Sequence, residues 1–347
     1  MGMNKKILGM EVTTPRILTL ALAVVMLLFP IVVNQNYYIQ IMITILFYCY
    51  WASSWNIIGG YAGQFAMGNG VYIGIGAYAA VLYYLEGFGS PWVGMIIGGF
   101  ISVICAYLIS TPCFKLSGTY FSLSTVAFLH IVRYIILGFN SIFGMKTQGG
   151  MGLIIPYTGR WQDMQLPSKR AYYYLVLVML VLVMLLSNYI KKSKMGYYLA
   201  AIKTNQGAAS TIGVNVPQYK MIAQCISAFC MALGGSVYVF FLLTISPYKV
   251  LGYELSLEIM TYCVIGGVGT LWGPIMGAVL LGLVNEVLRV RMGSDIAPLA
   301  FVVYGVIMIV IVRFAPGGLY QLVMNTMEKI QNKLKKKAVP AGKEAAQ

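Results

Sequence analysis

The hydrophobic pattern of this chain is a series of long continuous apolar runs, with no regular alternation of apolar and polar positions. Hydrocarbon cannot hydrogen-bond backbone N–H and C=O groups, and a helix needs roughly 20 residues to cross a ~30 Å bilayer core. We therefore predict about ten spans, at residues 17–33, 37–58, 64–85, 92–111, 119–138, 171–190, 218–243, 254–267, 271–288 and 296–313. The predicted fold class is an all-α integral membrane protein, a polytopic helical bundle.

The composition supports this class and limits the partners. Hydrophobic residues make up 59% of the chain and charged residues 10%, with a mean hydropathy of +0.79, whereas a soluble domain carries about 25% charged residues. A net charge of +15 would suit a nucleic-acid binder. Most Lys and Arg residues, however, fall in connections on one side of the predicted membrane, which is the positive-inside pattern. We therefore expect membrane lipid and no nucleic acid as a partner, and both termini in the cytoplasm.

The spans and charges divide the chain into a cytoplasmic N-terminus at 1–16, a membrane domain at 17–320 and a basic cytoplasmic tail at 321–347. Two connections within the membrane domain are long. Residues 140–170 lie outside on this topology, and their glycines and proline predict tight turns. Residues 191–217 lie inside and are rich in lysine.

The inner connection, residues 191–217, reads KKSKMGYYLAAIKTNQGAASTIGVNVP. It predicts a helix at 195–203, a turn at 205–207, a second helix at 208–212 and a C-cap at Gly213. A helical connection of this kind can dock a soluble ATPase and transmit its motion to the spans. The alternative is an amphipathic helix that lies in the membrane interface.

Two stretches, residues 57–80 and 264–282, are unusually rich in glycine. Small residues four positions apart on a helix let backbones approach closely, so tight packing is one interpretation. The other is a pair of broken helices along a pathway, since irregular backbone at membrane depth is tolerated beside protein or a water-filled cavity. The predicted breaks are at the glycine pairs Gly59, Gly60 and Gly266, Gly267.

Polar residues inside the spans are few, and ionisable groups at membrane depth are functional candidates. The candidates for a translocation pathway are Gln64, Asn69, Glu258 and Thr261. Two roles remain open for Glu258. It either pairs across helices with Arg133 or His130, or it takes part in substrate or proton handling.

No feature of the sequence supplies energy or catalysis to the chain itself. Residues 138–147 are the nearest approach to a phosphate-binding P-loop, and their spacing is wrong. No chain of acids and histidines crosses the membrane to relay protons, and the six cysteines are scattered without metal-ligand spacing. We expect no enzyme activity, no metal site and no bound cofactor, with ATP and Mg²⁺ on separate ATPase subunits.

Several segments, in order, resemble one known family. They are WNIIGGYAGQFAMGNGVYIGIGAY, LSGTYFSLSTVAFLHIVRYI, KTQGGMGLIIP, SKMGYYLAAIKTNQGAASTIGVNVPQYK, EIMTYCVIGGVGTLWGPIMGAVLL and RFAPGGLYQL. From about residue 37 to 322 the chain is similar to the LivM-type inner-membrane permeases of bacterial ABC importers for branched-chain amino acids. The resemblance implies the ABC importer permease fold and four kinds of partner. These are a second, LivH-type permease subunit, two ABC ATPase subunits, a periplasmic or lipid-anchored substrate-binding protein, and membrane lipid.

The resemblance also assigns the inner connection to ATPase coupling. The coupling motif of ABC permeases is Glu-Ala-Ala-x-x-x-Gly, and Ala208, Ala209 and Gly213 match it, while Gly207 stands where the Glu would be. We add Lys203 to this set of coupling candidates. Substrates implied by the family are Leu, Ile and Val, with urea, short amides and other amino acids as alternatives. An ion-coupled secondary transporter and a channel remain as other classes.

Overall fold

The computed structural model describes residues 26–27, 29–33, 35–116, 118–139, 141–142, 145–292, 305–306, 309, 313 and 317–326. Within these ranges the chain is mostly helical. The helices are α1 (Asn36–Asn56), which continues as a π-helix (Ile57–Tyr61), α2 (Gly70–Leu85), α3 (Pro91–Cys113), α4 (Thr119–Gly138), α5 (Lys169–Lys192), α6 (Lys194–Thr204), α7 (Gln206–Thr211), α8 (Val216–Leu242), α9 (Pro247–Val250), α10 (Tyr253–Gly267) and α11 (Gly273–Met292).

Eight of these described helices, α1 to α5, α8, α10 and α11, overlie predicted spans, so the helical membrane bundle is confirmed. Five of them, α1 with its π-helical extension, α3, α4, α5 and α8, are long and apolar enough to cross a membrane. Shorter apolar helices are α2 and Gly273–Glu286. The predicted spans 17–33 and 296–313 and the segments 1–16 and 321–347 lie wholly or largely outside the described residues.

Side-chain caps fix where several helices begin. The Ser90 hydroxyl accepts a hydrogen bond from the Trp92 N–H at 3.4 Å at the start of α3. The Ser168 hydroxyl accepts from the Ala171 N–H at 3.2 Å at the start of α5. Such caps satisfy backbone donors that have no partner in the first turn. At these two helices the start is therefore set by local residues, before any packing is considered.

Helix α1 lies at the centre of the bundle and packs against α5, α8, α10 and α11. Every residue from 49 to 56 is buried. Phe47 and Trp51 form an aromatic cluster with Tyr238 of α8, with ring centroids 5.1 to 5.6 Å apart. Aromatic pairs at such distances add about 0.5–1.5 kcal/mol to the burial of their area. Helix α1 therefore contacts four other helices of the bundle.

Glycines hold α2 close to α8. A Cβ added at Gly76 would collide with the backbone of Ala232, and one added at Gly235 would collide with the carbonyl of Ile73. These close approaches are what small residues at helix interfaces permit in membranes. For the glycines of α2, the tight-packing interpretation is therefore the correct one.

The long connection between α4 and α5 is folded against the bundle. Its strands are β1 (Ser141–Ile142), which pairs with β2 (Met145–Lys146), and β3 (Leu153–Ile154), which pairs antiparallel with β4 (Thr244–Ile245). At Gly152, φ is +74° and an added Cβ would collide with the carbonyl of Ile245, so only glycine fits there.

Candidate functional site at the broken helices

The first break is at the end of α1. The helix widens into the π-helix at Ile57–Tyr61, and residues 62–69 are irregular before α2 begins at Gly70. The predicted span 64–85 was therefore wrong over its first six residues, which are not helical. A Cβ at Gly59 would collide with the Trp55 ring, and one at Gly60 with the Asn56 side chain. π-Helical turns often mark functional sites.

Side-chain hydroxyls of α4 form hydrogen bonds with the irregular backbone of residues 62–69, and these bonds stabilise it. The Thr125 hydroxyl accepts hydrogen bonds from the N–H groups of Met67 and Gly68, both at 3.2 Å. The Ser122 hydroxyl donates to the Phe65 carbonyl at 2.6 Å. Without the Thr125 hydroxyl, the N–H of the buried Gly68 would lose its partner, at a cost of about 1–3 kcal/mol.

The second break lies between α10 and α11. Helix α10 ends at Gly267, where φ is +125°, and α11 begins at Gly273 after a turn. Gly266 and Gly277 bring the two helices into backbone contact, since a Cβ at Gly277 would collide with the Gly266 backbone. The second break therefore begins at the predicted pair Gly266 and Gly267, whereas Gly59 and Gly60 lie inside the π-helical turn and the irregular backbone of the first break begins at residue 62. The role of the two breaks in a pathway stays a prediction.

The two breaks meet at a hydrogen-bonded contact formed by Asn56, Gly60, Gly269 and Thr270, which we call the helix-break junction. Asn56 Nδ2 donates to the Thr270 carbonyl at 2.8 Å, and Asn56 Oδ1 accepts from the Gly269 N–H at 2.8 Å. The Cys263 thiol also donates to Asn56 Oδ1, at 3.4 Å. Asn56 is only 2% exposed. Asn56 was not among the predicted pathway residues, although a polar side chain within an apolar span is a signal for a specific role.

The connecting segment, residues 191–217, contacts this junction directly. Lys203, near the end of α6, donates from Nζ to the Gly60 carbonyl at 2.9 Å. A Cβ added at Gly269 would lie 3.0 Å from the same ammonium. Lys203 therefore points towards both breaks, even though much of its side chain remains exposed.

A separate apolar cluster joins the connecting segment to the π-helical end of α1. Its buried members are Ile57, Ile58, Tyr61, Ala62, Ile190, Leu199, Ile202, Ala209, Val214 and Ala223. The cluster includes residues of α6 and α7 and is distinct from the main core. The connecting segment is therefore packed against the bundle through one apolar face, and its role in ATPase docking stays a prediction.

The predicted coupling residues on and after α7 differ in their exposure to solvent. Ala209 is buried, whereas Ala208 is exposed. Gly213 ends the helix with φ +86° and has no atom within 4 Å of an added Cβ. The helices are slightly longer than predicted, since α6 covers Lys194–Thr204 and α7 begins at Gln206, capped by Asn205.

Lys220 forms a second link between the segment and a span, and sequence reasoning missed it. It lies in the first turns of α8, is 3% exposed, and donates to Gln206 Oε1 of α7 at 2.8 Å. Its ammonium lies 5.8 Å from the centroid of the Phe114 ring. A buried cation requires partners of this kind.

The four predicted pathway residues occupy different surroundings. Gln64 is buried and donates to the Ala62 carbonyl at 3.4 Å. Asn69 Oδ1 accepts from Gln224 at 3.2 Å. Thr261 is half-buried on α10. Whether these residues line a pathway stays a prediction.

The expected partner of Glu258 was wrong. Glu258 is hydrogen-bonded to the hydroxyl of Tyr48 on α1, while the Arg133 guanidinium lies 5.0 Å from the centroid of the Tyr248 ring. His130 packs against the rings of Tyr134 and Tyr253. The described residues also contain no group of three or more His, Cys, Asp or Glu side chains that could hold a metal ion.

These features define a multi-pass helical membrane protein whose broken helices meet at one junction contacted by a helical connection. A family model described as "Branched-chain amino acid transport system / permease component" matches residues 37–312. Since the match covers most of the chain, the protein belongs to this family of transport permease components.

Two individual proteins match this chain over most of its length. The high-affinity branched-chain amino acid transport system permease protein LivM of Salmonella typhimurium is 26% identical over 329 residues, which is 88% of this chain and 74% of the relative. LivM of Escherichia coli is 27% identical over 76% of this chain and 65% of the relative. The chain thus spans between about two thirds and three quarters of these proteins.

A permease named for a different substrate matches a shorter part of this chain. The ribose import permease protein RbsC of Haemophilus influenzae is 28% identical over 104 residues, or 29% of this chain and 32% of the relative. No solved structure matches the chain.

Proposed function

We propose that this chain is the transmembrane permease subunit of an ATP-driven ABC importer for the branched-chain amino acids Leu, Ile and Val. The single observation that carries the mechanism is the contact between the connecting segment and the helix-break junction. The element that would dock an ATPase reaches the broken end of the central span through Lys203 and an apolar cluster. A displacement of this element would therefore act directly on the spans.

The proposed complex contains a second, LivH-type permease subunit, two ABC ATPase subunits and a periplasmic or lipid-anchored binding protein. This chain would lie in the bacterial inner membrane with both termini cytoplasmic. The exposed Ala208 and the open space around Gly213 support an ATPase contact at the end of α7, because a partner can approach there without disturbing the fold. ATP and Mg²⁺ would bind to the ATPase subunits, which would carry out ATP hydrolysis without catalytic residues from this chain.

On the opposite side, the connection 140–170 would receive the binding protein. It presents apolar side chains to solvent, since Met151 is 94% exposed and Ile154 is 80% exposed. Trp161 is also exposed and is held by its carbonyl, which accepts a hydrogen bond from the Trp92 indole at 2.9 Å. A rigid exposed apolar surface is a common feature of protein docking sites.

Branched-chain amino acids are the proposed substrates because two LivM permeases match 88% and 76% of this chain. Urea, short amides, other amino acids and sugars are the competing substrates. Gln64, Asn69, Glu258 and Thr261 are the residues proposed to face the pathway.

The proposal is tested by uptake of radiolabelled leucine in cells that lack this gene. Uptake should fall to background, return with the wild-type gene, and fail to return when the ATPase genes are inactivated. Excess unlabelled isoleucine or valine should compete, whereas urea and ribose should not. Competition by urea or ribose alone would reassign the substrate.

An ion-coupled secondary transporter is the alternative class. Leucine uptake that survives ATP depletion and collapses when the ion gradient is dissipated would establish it. Loss of uptake on ATP depletion, with the ion gradient held, would exclude it.

A further inference from the structure

Lys203 is the one charged side chain of the connecting segment that the structure places against the helix-break junction. Its stem packs beside Gly63, where an added Cβ would lie 3.0 Å from Lys203 Cγ. Its ammonium lies at the Gly60 carbonyl, and a Cβ at Gly269 would be 3.0 Å from it. The side chain therefore runs along the first break and ends beside the second.

The Gly60 carbonyl accepts its hydrogen bond from a residue outside its own helix. It lies in the last turn of the helix that begins at Asn36 and ends at Tyr61, where carbonyl groups have no partner within the helix. The C-terminal end of a helix also carries partial negative charge, so a cation is favourable there. Lys203 of α6 caps this helix end by donating to the Gly60 carbonyl, and the two residues are 143 positions apart in the sequence.

We propose that Lys203 is a positioning residue that couples displacement of α6 and α7 to the helix-break junction. The inference rests on the proposed function and names the contact through which the ATPase would act on the spans. The contacts of the apolar cluster that joins the connecting segment to α1 are non-directional. The hydrogen bond to Gly60 is directional, so it fixes the register between the segment and the broken end of α1.

From Gly60 the effect passes to the second break. Gly269 lies against Gly60, and Asn56 hydrogen-bonds both Gly269 and Thr270. A shift of the Gly60 carbonyl therefore moves the turn between α10 and α11 as well. In this arrangement Lys203 contacts the spans, whereas Ala208 and the end of α7 contact the ATPase.

The test uses the assembled complex in proteoliposomes and measures leucine uptake and phosphate release together. Lys203→Met keeps the aliphatic stem beside Gly63 and removes the ammonium. We expect ATP hydrolysis to persist while leucine transported per ATP falls roughly tenfold, within the range usual for coupling between two sites. Lys203→Arg should restore most of the ratio, because a guanidinium can also donate to a carbonyl.

The matched control is Lys194→Met, at the other end of α6, where the lysine is exposed. This change removes the same charge from the same helix and should leave transport per ATP unchanged. If Lys203→Met leaves the ratio unchanged, or if Lys194→Met lowers it equally, the proposed role of Lys203 is wrong.

A second measurement separates this inference from the proposed function. If the wild-type complex shows no ATP-dependent uptake, the importer assignment fails, and the contact is examined in the purified chain by amide hydrogen exchange. Lys203→Met should then speed exchange of the Gly269 N–H, which donates to Asn56, and Lys194→Met should not. Equal exchange of the Gly269 N–H in Lys203→Met and the wild type would overturn the coupling between Lys203 and the junction.

Discussion

Asn56 and Thr270, 214 positions apart in the sequence, are joined by a hydrogen bond of 2.8 Å from the Asn56 amide to the Thr270 carbonyl. The same amide accepts the Gly269 N–H. One buried side chain thus satisfies two backbone groups of the second break from the end of the first. Asn56 therefore joins the two breaks at the helix-break junction.

Replacing Asn56 by alanine should destabilise the protein by about 3 kcal/mol, because a buried donor and a buried acceptor lose their partner. The midpoint of thermal unfolding in detergent measures this effect. Asn36→Ala, at the exposed start of the same helix, should change the midpoint little. Similar midpoints for the two variants would show that the junction does not contribute to stability.

Gly269→Ala should be more harmful than Gly213→Ala. Both glycines have positive φ, +83° and +86°, so both variants carry the backbone penalty of about 1–2 kcal/mol. Only at Gly269 would the new Cβ also crowd a neighbour, the Gly60 carbonyl, at 2.9 Å. The thermal midpoint of Gly269→Ala should therefore fall below that of Gly213→Ala, and the reverse order would contradict the close approach.

Gly213→Trp should abolish transport without preventing membrane insertion. An added Cβ at Gly213 has no atom of this chain within 4 Å, so the new side chain would point into open space, at the backbone penalty of a positive φ, and would obstruct an ATPase that docks there. Leucine uptake and the amount of protein in the membrane fraction are the two readouts. Normal uptake by this variant would count against the assignment of the connecting segment.

Thr125→Val should destabilise the irregular segment at 62–69 by about 2 kcal/mol, because valine has the shape of threonine but cannot accept the Met67 and Gly68 N–H groups. Amide exchange at Met67 and Gly68 should accelerate. Thr111→Val is the control, since its exposed hydroxyl only bonds the Tyr107 carbonyl of its own helix. Unaltered exchange in Thr125→Val would show that another group protects these amides.

Sequence patterns were sufficient to place eight of the predicted spans on described helices, apart from the start of the span 64–85, and to predict much of the connecting segment. Asn205 and Gly213 delimit α7 through caps that involve only nearby residues, and such signals are readable from one stretch of chain. The irregular start of the span 64–85 was missed, because its stability comes from hydroxyls on α4 that no local pattern reveals. The partner of Glu258 was missed for the same reason.

The sequence by itself determined that this is a multi-pass helical membrane protein with glycine-rich interruptions, because apolar length and backbone freedom are local properties. Only the tertiary structure decided that the two interruptions meet, that Asn56 joins them, and that Lys203 faces the spans. Those facts depend on which helices become neighbours. The hydrogen bonds that fix them link residues 143 to 214 positions apart, and no periodicity along the chain encodes such pairs.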